Sequence, residues 1–150
     1  MARLSLLAVL ALAFSGVTSA APSLGGLGVR DDQEFQSCGG PGTINSVDFS
    51  PDPPVASEDL TVVVNAYTPV PIEDDSYVQV TVVRGDAKFS TEAVRICDTA
   101  SCPVQPGSYY SFSYSVRMPE VVYHHEITIL NNGYSPTTDE ALFCFNFVLA

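Results

Sequence analysis

A chain of 150 residues with 17 Asp and Glu against 6 Lys and Arg carries a formal net charge of −11, and its length suits one domain. That balance repels phosphate backbones and disfavours nucleic-acid binding. It also disfavours purely electrostatic docking to anionic membranes, unless the few cations cluster. Such an acidic surface is less self-opposed in an acidic compartment, where carboxylates begin to protonate.

In chain order, Met1–Ala20 comes first. Arg3 supplies a short positive region, Leu4–Phe14 an apolar run, and Val17-Thr18-Ser19-Ala20 the small residues of a cleavage site. This predicts a secretory signal peptide over residues 1–20 and an exported protein, secreted or delivered to a vacuolar or lysosomal lumen. Residues 21–37, with Gly25-Gly26-Leu27-Gly28 and Asp31-Asp32, read as a flexible leader or propeptide. No later segment reaches the roughly 18 consecutive apolar residues of a membrane-spanning helix. No Asn begins a glycosylation sequon.

From Cys38 onward short β-type runs alternate with turn residues. The predicted strands are Thr43–Ser50, Leu60–Thr68, Tyr77–Gly85, Phe89–Cys97, Tyr109–Met118, Tyr123–Asn131 and Leu142–Leu149. Between them stand Pro51-Asp52-Pro53-Pro54, Pro69-Val70-Pro71, Gly85-Asp86, Pro103–Gly107 and Asn131-Asn132-Gly133, each a turn signal. Seven strands at this spacing, with no helical periodicity, give an all-β fold, a two-sheet sandwich or a barrel.

In the run Tyr109–Met118, Tyr110, Phe112, Tyr114, Val116 and Met118 fall on one face and Tyr109, Ser111, Ser113, Ser115 and Arg117 on the other, so one face is dry and one wet. Phe143, Phe145, Phe147 and Leu149 form a second apolar row, Leu60, Val62, Val64 and Ala66 a third, and Val78, Val80 and Val82 a fourth. Such rows are what any sandwich needs for an ordinary packed core; an interior crowded with large aromatics also suits a hollow lined for a ligand.

Cys38, Cys97, Cys102 and Cys144 read as two disulfides in an exported chain, with three possible connectivities. Cys97 and Cys102 are close enough to staple one loop; pairing Cys38 with Cys144 would then tie the ends of the domain together.

Three stretches carry a family resemblance. Cys97–Val116 reads C-D-T-A-S-C-P-V-Q-P-G-S-Y-Y-S-F-S-Y-S-V; Val47–Pro54 reads V-D-F-S-P-D-P-P, with Ile72-Glu73-Asp74-Asp75-Ser76-Tyr77-Val78 continuing the likeness; and the chain closes on Leu142-Phe143-Cys144-Phe145-Asn146-Phe147. In order and spacing these resemble the ML lipid-recognition domain family, which includes Niemann-Pick type C sterol carriers and fungal phosphatidylglycerol/phosphatidylinositol transfer proteins. The resemblance spans residues 38–150. It implies an immunoglobulin-like antiparallel sandwich, the pairs Cys38–Cys144 and Cys97–Cys102, and an apolar cavity between the sheets holding one lipid, a sterol or a glycerophospholipid, for transfer between membranes. It implies transient membrane contact, a monomer, and no cofactor. Two departures leave the ligand class open: no cysteine lies between Cys38 and Cys97, where the animal sterol carriers have a further disulfide, and the middle cysteines are closer together than in the fungal proteins.

The residues expected to line the cavity are Val62, Val64, Val80, Phe112, Tyr114, Val116, Ile127, Ile129 and Phe145, with a mouth near Pro119–Tyr123 and Pro69–Ile72. Catalysis is not expected: G-x-S-x-G, H-E-x-x-H and nucleotide-loop motifs are all missing. His124 and His125, adjacent on a strand, point to opposite faces and cannot easily share a metal. Glu73-Asp74-Asp75 lacks the spaced ligands of a calcium loop and reads as a solvated turn. The competing class is a secreted immunoglobulin-like recognition or adhesion module with a solid core.

Overall fold

The computed structural model describes residues 34–120, 126–138 and 140–149. Eight strands form within them: β1 (Phe35–Gly39), β2 (Thr43–Ser50), β3 (Asp59–Thr68), β4 (Tyr77–Arg84), β5 (Ala87–Arg95), β6 (Ser108–Arg117), β7 (Ile127–Tyr134) and β8 (Ala141–Leu149), with a single 3-10 turn at Ile96–Asp98. They build two antiparallel sheets, one of five strands in the order β1-β8-β7-β4-β5 and one of three in the order β2-β3-β6. This is the expected all-β, two-sheet sandwich.

The period-two patterns decide which faces meet. On β3 the row Leu60, Val62, Val64, Ala66 is buried, and on β4 the row Val78, Val80, Val82. Phe112, Tyr114 and Val116 of β6 and Phe143, Phe145, Phe147 and Leu149 of β8 complete one continuous core. Rings cross between the sheets: Phe49 of β2 stacks on Phe147 of β8 at 6.1 Å, and Phe112 of β6 on Phe143 of β8 at 5.7 Å.

Three segments depart from the sequence expectation. Phe35–Ser37, assigned to the leader, begins β1, which pairs along β8 from Phe35↔Phe147 to Gly39↔Cys144. Its sequence has no alternating apolar row because it is a mostly exposed edge strand. It is held by backbone pairing, by the edge of the Phe35 ring against Phe145 (6.5 Å), and by a disulfide.

Asn131-Asn132-Gly133, read as a turn, instead continues β7 to Tyr134, where Gly133 pairs with both Val78 and Phe143. A Cβ at Gly133 would lie 2.5 Å from the Phe143 ring, so the glycine is there for close packing rather than for turning. The predicted start of this strand, Tyr123, lies outside the described residues. On β5, pairing ends at Arg95 and Cys97 sits in the 3-10 turn. The hairpin between β4 and β5 turns as read, on Gly85 at φ +57° and Asp86.

The disulfides are Cys38–Cys144 and Cys97–Cys102. The first closes a sequence separation of 106 residues. A loop of that order removes about 4.7 kcal/mol of chain entropy from the unfolded state. Replacing Cys38 and Cys144 together by Ser is expected to lower stability by about 2–5 kcal/mol in urea denaturation. Loss of amide protection in β1 should accompany it; an unchanged midpoint would show that the pair does not hold the edge strand.

Candidate functional site

The nine residues expected to line a lipid cavity all lie in the packed apolar core: Val62 and Val64 on β3, Phe112, Tyr114 and Val116 on β6, Val80 on β4, Ile127 and Ile129 on β7, and Phe145 on β8. Their order along the strands gives the interior two regions. An aromatic chain, Phe49-Phe147-Phe145-Phe143-Phe112-Tyr110, runs under β8 and across to β6 with successive centroids 5.7–6.4 Å apart. The remaining core rows are aliphatic: Val80, Val82, Ile127 and Ile129 in the large sheet, and Leu60, Val62 and Val116 in the small sheet with Met118 just after it.

One polar contact crosses this interior. The Tyr114 hydroxyl donates to Asn131 Oδ1 at 2.6 Å, joining β6 of the small sheet to β7 of the large one, and Asn131 Nδ2 donates weakly to the Ile129 carbonyl at 3.4 Å. Asn131 is 0% exposed. Sequence reasoning missed it because Asn-Asn-Gly reads as a turn. The signal that could have found it is the inward row Ile127, Ile129, Asn131, Gly133, which keeps period two straight through. Burial pushes the Tyr114 phenol well above its ordinary range, with the Asn131 hydrogen bond acting weakly the other way, so the hydroxyl remains a donor.

The two segments expected to form one mouth lie at opposite ends of the small sheet. Pro119 follows β6 at the end where Asp59 pairs with Arg117, whereas Pro69 follows β3 at the end where Thr68 pairs with Ser108. The 10 residues of β3 separate them by about 30 Å. At the second end Ile72 is fully buried and closed by backbone bonds to Val104 in both directions. At the first end is a cleft of about 330 Å³ between the β4–β5 hairpin and the segment after β6, lined by Arg84, Ala87, Lys88, Phe89, Pro119 and Glu120. The rest of the expected mouth, residues 121–123, and His124 and His125, lie outside the described residues.

Other chemistry resolves into structure. Asp74 lies near Cys97 and Cys102, but those sulfurs are bonded to each other and present no thiolate to a metal. Glu73, in the acidic turn, accepts hydrogen bonds from Ser135 Oγ (3.3 Å) and from Thr137 Oγ1, tying the approach to β4 to the β7–β8 connection.

Removing the Tyr114 hydroxyl leaves Asn131 Oδ1 buried without its donor. Tyr114→Phe is therefore expected to cost about 1–3 kcal/mol, and adding Asn131→Leu to restore part of it, as chemical denaturation would measure. The sign with pH follows from the raised phenol. The unfolded chain ionises near the ordinary 10.0 while the folded one keeps the proton, so stability is full below pH 10 and falls above it. Burial raises the Tyr110 phenol as well, so Tyr114→Phe should lessen that alkaline decline without removing it; an equally steep one would assign it elsewhere.

Residues 32–150 match the family model described as ML domain. Phosphatidylglycerol/phosphatidylinositol transfer proteins from two strains of Cryptococcus neoformans var. neoformans serotype D are each 34% identical to this chain over 110 residues, 69% of this chain and 60% of theirs. The chain thus spans somewhat under two thirds of the length of those curated relatives. Among solved structures, a Niemann-Pick type C2 protein from the Japanese carpenter ant superposes with a TM-score of 0.56 over 77% of this chain and 96% of that one, at 13% identity, a likeness of fold. With a match over nearly its whole described length and a relative at 34% identity, the chain belongs to the ML domain family.

Proposed function

We propose that this chain carries one lipid, an anionic glycerophospholipid of the phosphatidylglycerol or phosphatidylinositol kind, between its two sheets and moves it between membranes. The observation that carries this reading is the 34% identity to phosphatidylglycerol/phosphatidylinositol transfer proteins. The interior is consistent with it: the aliphatic region between β4 and β6 offers acyl chains apolar surface from both sheets, and the cleft beside Pro119 lies at the end where that region stops.

Burial of a sixteen-carbon chain gains on the order of 12 kcal/mol gross, at about 0.8 kcal/mol per CH2. Lost ligand freedom reduces this to the reversible affinity a carrier needs. The work is binding, not catalysis: ML domain lipid-transfer proteins are not enzymes, and neither is this chain. Two disulfides support passage through the secretory pathway, with an exported or vacuolar destination. Contact with the donor and acceptor membranes is transient, and the carrier is a monomer.

Native mass spectrometry of the purified chain is expected to show one lipid per protein, and labelled phosphatidylglycerol should pass from donor to acceptor vesicles in its presence. Stripping the lipid should lower the melting temperature. Adding phosphatidylglycerol at a hundred times its Kd should restore about 2.7 kcal/mol. A protein that purifies empty and takes up neither phospholipid nor a fluorescent sterol would be a solid recognition module instead. Uptake of the sterol alone would make it a sterol carrier.

A further inference from the structure

Four Lys and Arg side chains fall among the described residues, and they divide into two kinds. Arg117 pairs with Asp59 at 3.2 Å, and Arg95 with Asp98 at 2.9 Å and Asp75 at 3.8 Å. Arg84 and Lys88 form no ion pair among the described residues, in a chain with 17 acidic side chains, and both line the cleft beside Pro119.

Their convergence is built by the backbone. The two-residue turn at Gly85-Asp86 sets Arg84 opposite Ala87 and Val83 opposite Lys88, but Val82 then pairs with Ser90, so Phe89 is an extra residue in β5. A bulge of this kind breaks the strict alternation of faces and re-aims side chains. Ala87, Lys88 and Phe89 are consecutive and yet all line the one cleft. Phe89 is 49% exposed, and Pro119 across from it is buried.

From this we infer that Arg84 and Lys88 hold the phosphate of the bound lipid's own headgroup in this cleft, with the acyl chains directed towards the aliphatic interior. The inference rests on the lipid-carrier reading and adds to it where the headgroup sits. Charge decides between the cargo's phosphate and the phosphates of a membrane surface. Glu120 lines the same cleft, leaving its walls with one net positive charge, and Asp86 and Glu126 flank the hairpin turn. A single phosphodiester matches one net positive charge. A sheet of anionic headgroups would meet the acidic surroundings as well and be repelled. Both cations can donate charge-assisted hydrogen bonds to phosphate oxygens, the guanidinium in a fork.

The test compares phosphatidylglycerol with diacylglycerol of the same chains, which lacks the phosphate, in competition for the full chain read by native mass spectrometry. The wild type is expected to prefer phosphatidylglycerol. Arg84→Gln with Lys88→Gln should reduce that preference at least about tenfold. Glu120→Gln, which removes the opposing carboxylate, should raise it severalfold, and this variant carries the test if the double variant does not fold.

A preference unchanged in both variants overturns the inference. So does a wild type that takes up both lipids equally, which would leave the carrier reading standing. A wild type that takes up no lipid of any kind overturns both. If the double variant keeps the equilibrium preference and only slows transfer from anionic vesicles, the cations dock the membrane and the headgroup assignment fails.

Discussion

An asparagine with no solvent exposure, placed between two apolar sheets, can remain only if its amide is satisfied, and the Tyr114 hydroxyl is what satisfies it. That bond is directional where everything around it is not. Apolar faces attract one another over many relative positions, whereas a 2.6 Å O–H···O contact from β6 to β7 admits few. The stacked rings Phe112 and Phe143, one strand over, fit the alignment it sets. Shifting one sheet along the other would break the hydrogen bond and the ring contact together, so the register between sheets is specified by polarity and shape rather than by burial alone.

The same contact stands beside a division in how deformable the interior is. Under β8 the rings touch in an unbroken series, and planar groups in offset or tilted contact have few alternative arrangements. The remaining core rows are Val, Ile, Leu and Met, and Met118 in particular can re-pack around a guest. A carrier must be closed when empty and open when loaded, because a dry cavity costs roughly 24 cal/mol per Å³. On the proposed carrier reading, an aromatic side in ring contact and an aliphatic side would meet both demands, the first preserving the fold while the second re-packs.

Much of this was legible in the sequence, and the misses share a cause. The rows on β3, β4, β6 and β8 were readable because each strand buries one face and wets the other. β1 was not, because an edge strand with little buried surface carries no such row and owes its place to β8 and Cys38. Asn131 and Gly133 were read by residue type, and residue type is overruled when tertiary packing assigns other work: an amide to Tyr114, an absent Cβ to Phe143. The two-ended mouth failed for a geometric reason. Sequence separation says nothing of which end of a strand a loop returns to, and Pro69 and Pro119 lie at opposite ends of β3. The gathering of Arg84 and Lys88 was hidden in the same way, since a bulge at Phe89 leaves no mark in a hydropathy pattern.

Charge and topology then bear on one another. β5 is an edge of the large sheet and β6 an edge of the small one, so the cleft lies where neither sheet continues. The strongly acidic surface makes such an opening hostile to anions unless something local reverses the sign. Arg84 and Lys88, which form no ion pair among the described residues, stand beside one carboxylate and reverse it only slightly and only there. A weak, local reversal suits a carrier better than a strong one. A deep positive site would hold its cargo against release, and a broad positive face would hold the protein on every anionic membrane it met. On the proposed reading, selectivity for one phosphate and freedom to leave the bilayer would ask for the same thing: few cations, placed at this cleft, in a chain that is otherwise negative.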